Sequence, residues 1–148
     1  MPTLIAPHGG GPLKPLMLTG ETLVAERARA QRLPTISISS REKGDLIMLG
    51  IGGFTPLGGF MGQADWQGVC DRMQTSQGLF WPIPITLSTD AATADSMALG
   101  TEVALADPDG EGVLAIMRVD EKYRIDKTHE CLQVFKTADA AHPGVRMV

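Results

Sequence analysis

Apolar residues Leu23, Val24, Ala28 and Leu33 recur at helical spacing, which predicts a first helix from Glu21 to Arg32. Thr19 stands at its N-cap position and Pro34 closes it. Thr35-Ile36-Ser37-Ile38-Ser39 then alternates polar and apolar residues, the signature of a half-buried strand. Ser39 and Glu42 fit a capping box. The helix they open, Ser40 to Leu49, is expected to bury Leu46, Ile47 and Leu49 and to stop at Gly50-Ile51-Gly52-Gly53. A third helix, Ala64 to Thr75, turns Trp66, Val69, Cys70 and Met73 inward. Ile83 to Ser88 reads as a strand entered through Trp81-Pro82. Glu102 to Ala106 and Gly112 to Asp120 are strands flanking Asp107-Pro108-Asp109-Gly110, the clearest hairpin signal in the chain. Asp126 caps a helix ending near Phe135, and the Pro- and Gly-rich arm of the first fifteen residues holds a short strand at Leu4 to Ala6. Short strands interleaved with short helices predict a mixed α/β or α+β chain, a small β-barrel with peripheral helices.

Length and charge narrow this picture. A chain of 148 residues suits a single domain. The net charge of −4, with the 13 Lys and Arg residues scattered, disfavours general nucleic-acid binding. Arg27, Arg29 and Arg32 are the one local basic cluster, and beside Glu21 and Glu26 they read as a solvated face. No positively charged start with a long apolar run marks a signal peptide, and no stretch reaches membrane-span length, so a cytoplasmic protein off the membrane is expected. Cys70 and Cys131 form no CxxC pair and are read as buried free thiols.

Candidate chemistry thins out under inspection. The glycines at 50 to 53 resemble a dinucleotide loop, but Pro56 and two further glycines stop the helix such a loop must open. His8-Gly9-Gly10-Gly11 looks like an oxyanion loop without the serine elbow it would serve. Asp107 and Asp109 belong to a turn. Among the three histidines, His8 lies in the arm, His129 on a helix beside Glu130 in a surface pattern, and His142 before Pro143-Gly144 in a loop. None of the three acquires a role from sequence. No complete catalytic set is legible, and neither a metal nor a cofactor site is assigned to this chain.

Several segments in order carry a family likeness. Pro7-His8-Gly9-Gly10, Ser40-Arg41-Glu42 with Asp45-Leu46, and Gly53-Phe54-Thr55-Pro56-Leu57 with Gly59-Phe60-Met61 resemble the N-terminal domain of ATP sulfurylases (sulfate adenylyltransferases). Asp65-Trp66, Trp81-Pro82-Ile83-Pro84-Ile85, Asp126-Lys127, Glu130, Val134-Phe135 and His142-Pro143-Gly144-Val145 continue it across the whole chain. Gly58 departs from the pattern, where many relatives carry a larger or polar residue.

The resemblance implies a PUA-like domain over residues 1–148 that belongs to an enzyme of sulfur metabolism. That nucleotidyltransferase makes adenosine 5′-phosphosulfate and pyrophosphate from ATP and sulfate with Mg²⁺, in sulfate assimilation or in reverse. The family's QxRN segment and histidine-bearing loops lie in a separate catalytic domain. Gln31-Arg32 lacks the Asn, so no catalytic residue is carried over and the chain alone is expected to be inactive. The expected partner is that catalytic domain, with homo-oligomerisation through the complete enzyme. Phe54, Pro56, Gly59, Phe60, Met61, Trp81 and Pro82 are the candidate interdomain or structural residues. A stand-alone PUA-like module binding RNA or acting as a protein adaptor is the alternative.

Overall fold

The computed structural model describes residues 4–110 and 112–148; the first three residues of the predicted arm lie outside them. In chain order come α1 (Gly20–Ala30), β1 (Thr35–Ser37), α2 (Ser40–Ile51), α3 (Gln63–Arg72), α4 (Ala91–Ser96), β2 (Glu102–Ala106), β3 (Val113–Arg118) and α5 (Lys127–Val134), then a 3₁₀ turn, Val145–Met147. The chain divides into two compact units. One comprises the described residues up to Phe60 with Leu87–Asp120; the other comprises Met61–Thr86 with Glu121–Val148.

The first unit holds the sheet. β2 lies between β1, its parallel partner, and β3, its antiparallel partner. Val103, Ala104 and Leu105 are consecutive and all buried, as a central strand covered on both faces requires. Ile36, Ile38, Met97, Val103, Leu105 and Val119 form the core, with Leu46, Phe60 and Leu87 packed against it. The expected hairpin is present. Gly110 N–H donates to Asp107 C=O at 3.1 Å, Asp109 N–H donates to the Asp107 carboxylate at 2.9 Å, and Gly110 takes the positive φ that closes the turn. The three strands form an open sheet that is not closed into a barrel.

The second unit packs α3 against α5, burying Trp66, Val69, Cys70 and Cys131. Cys70 and Cys131 are free thiols, as expected. Gly68 is buried with them, where a Cβ would run into the Gln74 backbone carbonyl. Asp126 caps α5 by accepting from His129 N–H at 2.9 Å.

Four expectations are corrected. Leu4 to Ala6 forms no strand and stands in solvent; an apolar triplet is a strand only if a sheet edge receives it. Ile83 to Ser88 forms no strand: Pro84 has no N–H to give a ladder, and Ser88 N–H is taken by the Glu42 carboxylate. The first helix ends at Ala30, the residue it buries most deeply; Val24 is 70% exposed and Ala28 exposed, so half of the predicted stripe is outside. Ile47 and Met73 are likewise exposed, Met73 because it ends α3 at φ 53°. α4 was not expected from periodicity. Asp90 caps it through Thr93 N–H at 2.9 Å, and an Asp three residues before a Thr in an Ala-rich run was its one local signal.

Candidate functional site

The segment Gly52 to Phe60, in the first unit, is shaped by how α2 ends. The capping box at its start is complete: Ser39 Oγ accepts from Glu42 N–H, and the Glu42 carboxylate accepts from Ser39 N–H at 2.7 Å. The other Glu42 oxygen accepts from Ser88 N–H at 2.6 Å, so one buried carboxylate ties the helix start to a distant strand of backbone. Arg41 pairs with Asp45 one turn on, at 3.6 Å. Burial nevertheless raises the Asp45 carboxyl above its ordinary range, with Arg41 opposing and Glu42 adding to the rise.

At the other end of α2, Gly52 adopts φ 81° and its N–H returns to the Leu49 carbonyl. A side chain here would be strained, and its Cβ would press on the backbone of Lys14 and Pro15. The N-terminal arm lies along this corner. Lys14 N–H donates to the buried Thr55 hydroxyl at 3.0 Å, which in turn donates to Gly52 C=O at 2.7 Å. Leu16 and Met17 N–H groups donate to Gly50 C=O at 3.0 Å each, satisfying a carbonyl that α2 leaves open. Leu57 N–H closes a turn onto Phe54 C=O at 2.8 Å across the cis Thr55–Pro56 bond.

The seven singled-out residues do not share one environment. Phe54 and Gly59 are half-buried and Pro56 is exposed, all in the first unit; Phe60 packs on that unit's core. Met61 and Trp81 are buried in the second unit and Pro82 is exposed there. Met61 N–H donates to Ile85 C=O at 2.7 Å, Met61 C=O accepts the Tyr123 hydroxyl at 2.7 Å, and Trp81 N–H donates to Met73 C=O at 2.8 Å. Burial, before the nearby Glu121 and Glu130, raises the Tyr123 phenol well above its usual range, so it remains a donor at neutral pH.

Groups with chemical potential are engaged in holding their own unit. His129 Nε2 lies 2.6 Å from the Asp71 carboxylate, joining α5 to α3. Glu130, expected on a surface, is buried and accepts the Trp66 indole N–H at 2.6 Å. Its neighbours in sequence are not solvated either, since His129 is half-buried against Asp71 and Cys131 is buried. His142 Nδ1 accepts from Gly144 N–H at 3.1 Å, and its ring lies against Phe135. His8 sits in the turn that Gly10 N–H closes onto Pro7 C=O. The Cys70 thiol is pushed up to about 12, by burial first and then by Glu130 and Asp71, so it is no nucleophile.

In the first unit, Lys43 spans Asp107 and Asp109, each at 2.9 Å. Its hydrogen bonds hold the Asp107 carboxyl below the ordinary range, helped by the Asp109 N–H. Arg29 pairs with Glu26 and Glu102, an ion pair beyond the solvated face expected of it. Sequence reasoning missed Lys43, Asp71, Tyr123 and Glu130, whose partners stand 58 to 66 residues away. Among the described residues, no group of three His, Cys, Asp or Glu side chains is placed to hold a metal ion. Nor is any helix among them long and apolar enough to cross a membrane.

A profile of the PUA-like domain family matches residues 5–148. The chain is 60% identical over 148 residues to the sulfate adenylyltransferase of Thiobacillus denitrificans, covering 100% of this chain and 36% of that protein. It is 58% identical over 146 residues to the sulfate adenylyltransferase of Chlorobaculum tepidum, covering 98% of this chain and again 36% of the relative. Among solved structures, the hexameric APS kinase from Thiobacillus denitrificans is similar with a TM-score of 0.70 and 35% identity, over 83% of this chain and 24% of that one. The chain thus spans little more than a third of the length of the curated relatives it matches.

Proposed function

Since the chain belongs to the PUA-like domain family, we propose that it serves as the non-catalytic N-terminal domain of a sulfate adenylyltransferase. The observation that carries this reading is 60% identity across the full length of the chain to an enzyme of that name, of which it matches 36%. The side chains add support. Asp107, His129, Glu130 and Cys70, which would be the first choices for acid–base or nucleophilic work, are committed to ion pairs, hydrogen bonds or burial.

On this reading the whole protein transfers an adenylyl group from ATP to sulfate, and ATP and Mg²⁺ are held by the rest of it. Phe60, Met61 and Trp81 serve the domain's own packing, as half-buried Phe54 does in part, while Pro56, Gly59 and Pro82 face a neighbouring domain. The small barrel belongs to the reading through family likeness, with the three-stranded sheet as its supported part. Assembly of the complete protein into a homo-oligomer is a further part, which the hexameric structural relative supports. A cytoplasmic location follows from the same assignment.

The test is direct. The purified chain, incubated with ATP, sulfate and Mg²⁺, is expected to form no adenosine 5′-phosphosulfate. Magnesium-dependent product from the isolated chain would overturn the reading.

A further inference from the structure

The second half of α2, Leu46 to Ile51, carries no polar side chain. Leu49 faces the interior, whereas Ile47, Met48 and Ile51 face out. Ile47 and Ile51, four residues apart, share one face, and every charged residue of the helix lies in its first half, Arg41 to Asp45. A helix end that is apolar all round is normally covered. The arm enlarges the uncovered surface. Its Leu16 and Met17 N–H groups are spent on the carbonyls of Leu49 and Gly50, which fixes the arm on the helix end and leaves its side chains outside. The Met17 methyl would touch a Cβ at Gly50, and Leu13 one at Gly52, so arm and helix form one continuous patch. Leu13, Leu16, Met17, Ile47, Met48 and Ile51 are 37–61% exposed, and Lys14 is the one charge among them.

We infer that this face of the first unit is where the adenylyltransferase portion of the complete protein docks. The inference rests on the proposed function and adds the surface to it. The chain matches 36% of its relatives' length, so each relative carries a larger remainder on the same polypeptide. A covalently joined body is present at millimolar effective concentration, far above any free partner or second copy. An apolar, nearly uncharged patch of this kind marks a protein contact rather than a polyanion site.

Methionine oxidation reads the patch directly, since Met17 and Met48 lie within it and Met73, 45% exposed in the second unit, is an internal reference. The 148-residue chain is compared with a chimera in which it replaces the matched segment of the Thiobacillus denitrificans sulfate adenylyltransferase. Under peroxide, with sulfoxides quantified by mass spectrometry, Met17 and Met48 should oxidise severalfold more slowly in the chimera than in the isolated chain. Ile47→Asp with Ile51→Asp should lower the melting temperature of the chimera and leave that of the isolated chain nearly unchanged. Unaltered oxidation of both methionines in the chimera, or equal destabilisation of both proteins by the double substitution, overturns the docking face. So does protection already present in an isolated chain that sediments as a dimer, which would assign the patch to a second copy. Product made by the isolated chain would instead remove the underlying functional reading, whatever the methionines do.

Discussion

The indole N–H of Trp66 on α3 donates to the buried carboxyl of Glu130 on α5 at 2.6 Å. Two helices 64 residues apart in sequence are thereby joined by a directional bond inside an apolar layer that also holds Cys70 and Cys131. A buried carboxyl without such a donor is costly, so the pair acts as a latch for the second unit.

Trp66→Phe keeps most of the ring volume and removes the donor. It should destabilise the chain by about 2–3 kcal/mol, the range for an orphaned buried acceptor that can carry charge. Glu130→Gln retains an acceptor oxygen and should cost roughly half as much. Urea unfolding followed by far-UV circular dichroism checks both.

Gly68→Ala should destabilise by about 1–3 kcal/mol although alanine is the better helix former, because overpacking outweighs propensity here. The added methyl would meet the Gln74 carbonyl, a backbone atom that cannot rotate away, and Gln74 N–H donates to Gly68 C=O in the same turn. Thermal unfolding of the variant measures the loss. An unchanged or raised melting temperature would contradict the packing argument.

The Lys43 bridge makes stability depend on pH in a defined direction. Asp107 is held below its ordinary value of 3.8, so its contribution is full above that value and is lost as pH falls through the lower folded value. Lys43 is raised above its ordinary 10.5, so its contribution is full below that value and is lost as pH rises beyond it. Lys43→Met should therefore lower the melting temperature at pH 7 and flatten the fall on the acid side. A melting series from pH 2 to pH 7 on both proteins, sampled about every half unit across the carboxylate range, tests this.

Neither thiol should react in the native chain. Both cysteines are buried, and Cys70 is pushed up to about 12 by burial. At pH 8 a disulfide reagent should label two thiols per chain in denaturant and almost none without it. Rapid labelling of the native protein would show that the α3–α5 layer opens readily.

Where one short stretch of chain contains both partners, the sequence was enough. Ser39 and Glu42 announce the capping box, Asp107 to Gly110 the hairpin turn, and Asp126 the start of α5, because each bond closes within about three residues and needs only local geometry. The family likeness was equally legible, since it rests on residue identities in order. Tertiary structure decided what requires a partner from elsewhere. Ile83 to Ser88 has the composition of a strand, yet Pro84 lacks a donor and Ser88 N–H is spent on Glu42, and Leu4 to Ala6 pairs with neither edge of the sheet. Glu130 and His129 look alike on a helix until packing turns one toward Trp66 and the other toward Asp71. Ile47, on the outer face of α2, reads in sequence as core, and only the tertiary structure leaves it uncovered. Hydrophobicity drives burial without naming the surface that receives it; that choice belongs to the fold.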